Sequence, residues 1–237
     1  MGTWYKSSQI LIVASIIASV APTQASLFGR FTDIADYRGD VIMISAPRRV
    51  RSGATQGNLN AKLFLEQEDF VITEPIPVDT LGIPGIFDEV VDFQGGEIES
   101  GTINSYFLHV DSRPSPLFGY RSGPSRFQGS ITFENPILGL IGFADTLLET
   151  RELQSSTTRY PLRRRYAHDL DPVIGSPVGD TVSISSDRRT LTFDFLNGYG
   201  VDQLRIVTSA VPEPAALSLL GIATICLVLP RLRRKVR

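Results

Sequence analysis

The sequence predicts an all-β body, a single antiparallel β-sandwich of jelly-roll type with one short helix. An N-terminal signal peptide and a C-terminal transmembrane helix are expected to flank it. Three observations predict this. Between residues 26 and 210 the chain is a succession of short apolar runs punctuated by Gly, Pro, Ser and Asp, the pattern of repeated strands. Only one stretch spaces its leucines as a helix does. The long apolar runs sit at opposite ends of the chain.

The expected strands follow in order. Val41 to Ser45 (VIMIS) is continuously apolar, Ala61 to Leu65 (AKLFL) alternates, and Asp69 to Thr73 (DFVIT) follows closely. Thr102 to Val110 (TINSYFLHV) is rich in β-branched and aromatic residues, which favour strands. Phe127 to Phe133, Ile137 to Ile141, Asp180 to Ser185, Thr190 to Phe195 and Val201 to Thr208 complete the set. Ser186-Asp187-Arg188-Arg189 fits a hairpin connection between two of these runs. Phe143 to Leu153 (FADTLLETREL) brings Leu147, Leu148 and Leu153 to one face and predicts the helix. These elements make one domain, residues 26–210.

The ends read differently. Lys6, the apolar stretch Ile10 to Val20 and Thr23-Gln24-Ala25 form a positive start, a hydrophobic region and a small-residue cleavage site. That is a secretory signal peptide over residues 1–25, cut by signal peptidase; the competing reading is an uncleaved anchor. At the other end, residues 211–237 hold Val211-Pro212-Glu213-Pro214, an apolar run from Ala215 to Leu229, and the bases Arg231, Arg233, Arg234, Lys235 and Arg237. The 15-residue apolar run makes about 22 Å of helix, against a hydrocarbon core of about 30 Å. It spans only marginally, which suits transient residence. Pro212 and Pro214 hold the preceding segment extended and accessible to a protease. The basic cluster marks the cytoplasmic side.

Removal of both ends changes the charge. The whole chain carries −2. Without Lys6 and the five tail bases 17 Lys and Arg remain, and without Glu213 24 Asp and Glu, so the body carries −7. An acidic body argues against nucleic acid as a partner. The only cysteine, Cys226, lies in the tail, so the body has no disulfide and no cysteine metal site.

The order and terminal position of the tail elements resemble the PEP-CTERM sorting signal of Gram-negative bacteria, the substrate class of exosortases. The resemblance covers about a tenth of the chain. It implies that a membrane-embedded cysteine protease recognises Val211, Pro212, Glu213 and Pro214 and removes the tail after brief anchoring in the inner membrane. It implies an exported life at the cell surface or in the extracellular matrix, linked to exopolysaccharide and biofilm. An ordinary C-terminal anchor is the competing reading. Three body stretches, SYFLHVD (Ser105 to Asp111), GSITFENPILGLI (Gly129 to Ile141) and SDRRTLTFDF (Ser186 to Phe195), resemble an architecture recurrent among PEP-CTERM proteins. That resemblance implies an extracellular all-β domain and no particular chemistry.

The body shows few chemical signals. His109 stands two residues before Asp111 in an expected strand, so the pair can share a face as metal ligands or a dyad; a strand histidine satisfied by its neighbours is the expected state. His168 lies beside Asp169 and Asp171 in an expected loop and is read the same way. No Gly-x-Ser-x-Gly elbow, Walker A loop, dinucleotide fingerprint or zinc helix motif occurs. The carboxylates Glu66, Glu68 and Asp69; Asp88, Glu89 and Asp92; and Glu97 and Glu99 are read as a solvated acidic surface. A glycosidase pair and a Ca²⁺ site are the alternatives. Arg113 to Arg126 sets Phe118 and Tyr120 among Arg113, Arg121 and Arg126, and Tyr160 to Tyr166 sets three arginines, Arg164 among them, between tyrosines. Aromatic faces and guanidinium groups suit an anionic polysaccharide, so Phe118, Tyr120, Arg121 and Arg164 are candidate glycan contacts. Arg38-Gly39-Asp40 matches a cell-adhesion tripeptide that chance readily supplies. The expectation is a non-enzymatic surface or matrix protein without a resident cofactor, partnered by signal peptidase, exosortase and extracellular polysaccharide. A secreted carbohydrate-active enzyme and a calcium-stabilised adhesion module are the alternatives.

Overall fold

The computed structural model describes residues 33–50, 60–111, 125–160, 179–197 and 201–210. The strands are β1 (Ile34–Gly39), β2 (Val41–Met43), β3 (Ala61–Ile72), β4 (Ile76–Val78), β5 (Thr80–Leu81), β6 (Gly85–Phe87), β7 (Gly96–Ile98) and β8 (Gly101–Asp111). They continue with β9 (Ser125–Phe133), β10 (Ile137–Ile141), β11 (Thr181–Ile184), β12 (Thr190–Asn197) and β13 (Val201–Ser209). One short helix, α1 (Ala144–Glu149), interrupts them. The protein is mostly β, as the sequence predicts. The expected signal peptide and the apolar span 215–229 lie outside the described residues; among those described, no helix is long and apolar enough to cross a membrane.

A five-stranded sheet runs β1-β9-β12-β11-β6, antiparallel throughout. A six-stranded sheet runs β2-β3-β8-β13-β10-β5, antiparallel except for the parallel β2–β3 pair, and a small ribbon joins β4 to β7. Leu63, Tyr106, Leu108, Leu140, Leu204 and Ile206 of the larger sheet share one buried cluster with Phe127, Ile131, Val182, Leu191, Phe193 and Phe195 of the smaller. Each fully buried Leu or Phe contributes about 1.5–3 kcal/mol relative to leaving it exposed. In β12 the alternation is plain. Leu191, Phe193 and Phe195 are buried, while Thr192 is exposed, as expected of a sheet with one wet face.

The six-stranded sheet differs. Residues Ile103–Asp111 of β8 and Val201–Thr208 of β13 are buried without interruption. The cause is a second apolar cluster on the sheet's far side. There Phe64, Ile103, Phe107 and Val207 meet Val50, Ile76, Ile98, Leu147 and Leu153, so a layer of helix, ribbon and loop covers that face.

Several elements depart from the sequence reading. The runs 61–65 and 69–73 form one strand, β3, kept continuous by register shifts between Leu65 and Gln67 and between Gln67 and Phe70. Asp69 takes a positive φ of 50° there, and its N–H donates to Asn104 Oδ1. The expected helix 143–153 splits: α1 ends at Glu149, Thr150 breaks the run, and Arg151–Leu153 is a 3-10 turn. Leu147 and Leu153 still bury together. The hairpin at 185–189 forms, with Arg188 at φ 61°. In Arg38-Gly39-Asp40, Gly39 stands at φ 74° and a Cβ there would lie 2.4 Å from the Gln128 carbonyl. Asp40 Oδ2 accepts the Gln128 N–H, so the tripeptide is a corner between β1 and β2.

Asp79 fixes where α1 starts. Its buried Oδ2 accepts the N–H groups of Gly142 (2.6 Å) and Phe143 (2.7 Å), and its Oδ1 accepts the Thr146 hydroxyl. Phe143, the residue at the N-cap position, makes no side-chain cap of its own, so a carboxylate 64 residues earlier does the work. Asp79→Ala strands buried donors and is expected to cost about 2 kcal/mol or more, read from the urea midpoint. A change within about 0.5 kcal/mol, the range of ordinary surface substitutions, contradicts this role.

Candidate functional site

The densest polar constellation lies at the centre of the six-stranded sheet, on the face covered by α1. Arg205 on β13 and Glu66 on β3 form an ion pair with both side chains fully buried. A register shift makes Glu66 the extra residue between Leu65 and Gln67, and it reaches both Ser105 and Arg205. Arg205 Nε donates to Glu66 Oε2 at 2.6 Å and Nη2 to Oε1 at 3.0 Å, a bidentate fork. Nη1 donates to the Thr150 carbonyl (3.2 Å) and to its hydroxyl oxygen (2.6 Å). That hydroxyl donates in turn to the Thr146 carbonyl. Ser105 Oγ donates to Glu66 Oε2 at 2.9 Å, and the guanidinium lies 5.7 Å from the Phe107 ring centre. Burial lowers the Arg205 affinity for its proton, but the Glu66 charge and hydrogen bonds outweigh this and hold its pKa above the ordinary value.

Tyr160 completes the cluster. Its ring meets Phe107 edge-on at 5.4 Å. Burial, then the Glu66 charge and hydrogen bond, push its phenol well above the ordinary tyrosine range. Tyr160 is thus turned inward, where the sequence suggested a polysaccharide contact on the 160–166 loop. The space enclosed by Phe107, Leu147, Leu148, Gln154, Tyr160, Gln203 and Arg205 is only about 10 Å³. That leaves room for no substrate. The constellation has the composition of an active site and the geometry of a fastening.

His109 lies beside it on β8, opposite Lys62 of β3 and Gln203 of β13. Gln203 Nε2 stands 3.5 Å from His109 Nδ1, while Nε2 of the ring has no hydrogen-bond partner. The expected satisfied strand histidine is therefore only half satisfied. Burial, helped by the Lys62 charge, lowers its pKa to about 3. Burial also lowers that of Lys62, which Asp111 partly offsets. Asp33 forms a further buried centre. Its Oδ2 accepts from Asn104 (3.1 Å) and Thr208 (3.0 Å), Oδ1 has no partner, and burial raises its pKa against those bonds.

The remaining carboxylates have varied employment. Asp92 Oδ2 accepts the N–H groups of Asp88 (3.2 Å) and Glu89 (3.0 Å), capping a 3-10 turn, and those backbone bonds lower its pKa. Asp194 forms a bidentate pair with Arg126 and accepts from Gln128, which lowers its pKa. Arg126 is therefore engaged with Asp194 on the wet face of the five-stranded sheet. Among the described residues, no three His, Cys, Asp or Glu side chains group closely enough to hold a metal ion. Open clefts of useful size lie among the described residues. One, of about 480 Å³, is lined by Leu81, Ile83, Ile98 and Leu138 with Glu97 and Glu99. Another, of about 460 Å³, lies on the wet sheet face by Arg38, Gln128 and Asp194.

Phe118, Tyr120, Arg121, Arg164 and His168 lie outside the described residues, as do Val211, Pro212, Glu213, Pro214 and the tail bases Arg231, Arg233, Arg234, Lys235 and Arg237. The sequence reading did not single out Arg205, Thr150 or Asp79, and it took Glu66 for a surface acid. No protein-family model, curated protein or solved structure matches the chain.

The His109 environment sets a pH dependence. An unfolded histidine takes its proton near pH 6.5, whereas the folded ring refuses it until about pH 3. The unfolded state thus binds more protons across this window, and stability falls as pH drops through it. The full slope is about 1.4 kcal/mol per pH unit. Urea midpoints taken between about pH 7 and about pH 4.5 should fall more steeply for the native chain than for His109→Gln. Identical slopes contradict the assignment.

Proposed function

We propose that this chain is an exported, non-enzymatic surface or matrix protein of a Gram-negative-type bacterium, sorted and C-terminally processed by an exosortase and associated with exopolysaccharide. The observation that carries the reading is the tail: Val211-Pro212-Glu213-Pro214, the short apolar run and the terminal basic cluster, in that order. The body supports it in two ways. Its last described bonds run from Ser209 N–H to the Pro136 carbonyl and from Ala210 N–H to the Thr102 carbonyl, immediately before the motif. Cleavage within or beyond the motif therefore removes none of the described strands. The body also lacks cysteine and rests on two buried apolar clusters, which suits an oxidising exterior without disulfides.

We read the body as a β-sandwich of jelly-roll type. The two sheets share a core, and the links β8 to β9, β9 to β10, β10 to β11 and β12 to β13 each pass from one sheet to the other. The polar centre at Arg205 is closed, which favours a structural role for it over catalysis.

Intact-mass measurement of the exported protein, from cells with and without exosortase, tests the sorting. With the protease, the mature form should lack the residues beyond about Val211; without it, the tail should persist. Replacing Pro212, Glu213 and Pro214 with alanine should also leave the tail attached. A mature form ending at Arg237 in protease-containing cells contradicts the proposal and restores a plain anchor.

A further inference from the structure

We propose that the surface from Ile83 to Val91 is a docking edge for an extended, basic and apolar segment of another polypeptide. Six large apolar side chains are exposed among the described residues, Tyr37, Val71, Ile83, Ile86, Val90 and Val91, and four of them fall in this short stretch. Ile86 is 66% exposed and Val91 65%. Isolated exposed hydrophobes need no explanation, but a concentration of them marks an interaction surface.

The backbone makes the occupant an extended chain. β6 is the last strand of the five-stranded sheet and pairs with β11 on one side. Gly85 and Ile86 are both exposed. Terminal strands are blunted by shortness, proline, charge, bulges or cover; β6 is only three residues long and follows Pro84, yet its central residue presents an exposed isoleucine in place of a charge. A segment adding to such an edge gains main-chain hydrogen bonds and sets alternate side chains beside Ile86.

Charge makes the occupant basic. From Leu63 to Ser112 the chain has 11 Asp and Glu and no Lys or Arg; Glu66, Asp79 and Asp111 are buried, and the other eight remain for the surface. Exposed Asp88, Glu97 and Glu99 belong to this stretch, and the last two line the cleft of about 480 Å³ that Ile83 shares. Its apolar lining of Leu81, Pro84, Ile98 and Leu138 fits the methylene stem of a lysine or arginine whose head meets the two carboxylates. Arg188 stands at the rim and donates Nη2 to the Ile137 carbonyl at 3.1 Å. A second copy of this chain would bring the same acids against themselves, and such like-charge contacts are penalised.

Fluorescence anisotropy with a labelled, end-blocked octapeptide of alternating lysine and valine tests this on the purified full chain, with the glutamate–valine octapeptide as control. The lysine peptide should bind, more weakly at high salt, and the glutamate peptide should not. Ile86→Lys should weaken binding by about tenfold or more, as expected for loss of one central anchor. Glu97→Gln combined with Glu99→Gln, both exposed, should weaken it several-fold while leaving the melting temperature unchanged. Equal binding of the two peptides, or lysine-peptide binding untouched by both sets of substitutions, overturns the proposal. A dimer in sedimentation that Ile86→Lys disperses also overturns it, because the occupant would then be a second copy.

Discussion

Arg205 is a fully buried cation on the central strand β13, and the covering of the larger sheet is arranged around it. A guanidinium withdrawn from water is tolerated only when an opposite charge and good acceptors replace the water. Glu66 supplies the charge from the bulge in β3, and Thr150 supplies a carbonyl and a hydroxyl from the break between α1 and the following 3-10 turn. Three segments far apart in the chain are thereby held to one point. The split of the expected helix follows from this. Thr150 is occupied in accepting from Arg205, so the helix ends there and leaves Leu147 and Leu153 to bury on the sheet.

Much of the β character was legible in the residues, and so were most of the long strands. β12 alternates cleanly because one face meets solvent, and the 185–189 hairpin announces itself by Ser, Asp and Arg between two such runs. What was illegible came from tertiary cover. On β8 and β13, polar Ser105, His109, Gln203 and Arg205 suggest a solvent face, yet the layer of helix, ribbon and loop buries them. Glu66 resembles its exposed neighbour Glu68 in sequence, and only the bulge turns it inward. The strands β4 to β7 are two or three residues long and set among Pro75, Pro84 and Gly95-Gly96, with Pro77 inside β4, so they give no periodic signal.

Function divides along the same line. The proposed address of the protein rests on short linear motifs at its ends, read from order and spacing. The chemistry of its body is a question of geometry, and among the described residues the polar groups that attract attention prove to be engaged with their neighbours. His109 is too buried to titrate near neutrality, Tyr160 faces the core, and Arg126 is held by Asp194. Among the described residues, an acidic flank with exposed isoleucines and valines stays open to partners, a feature visible only when burial and charge are considered together.

The central claim is that the Arg205–Glu66 pair fastens the cover to the sheet and is not a reserve of reactive groups. A double-mutant cycle with Glu66→Leu and Arg205→Met, read from urea midpoints, tests it most directly. Each single substitution leaves a buried charge without its partner and should cost about 3–5 kcal/mol. The double substitution should recover most of that loss, giving a coupling energy of about 2 kcal/mol or more. Single substitutions that leave the midpoint unchanged, or costs that simply add, contradict the account.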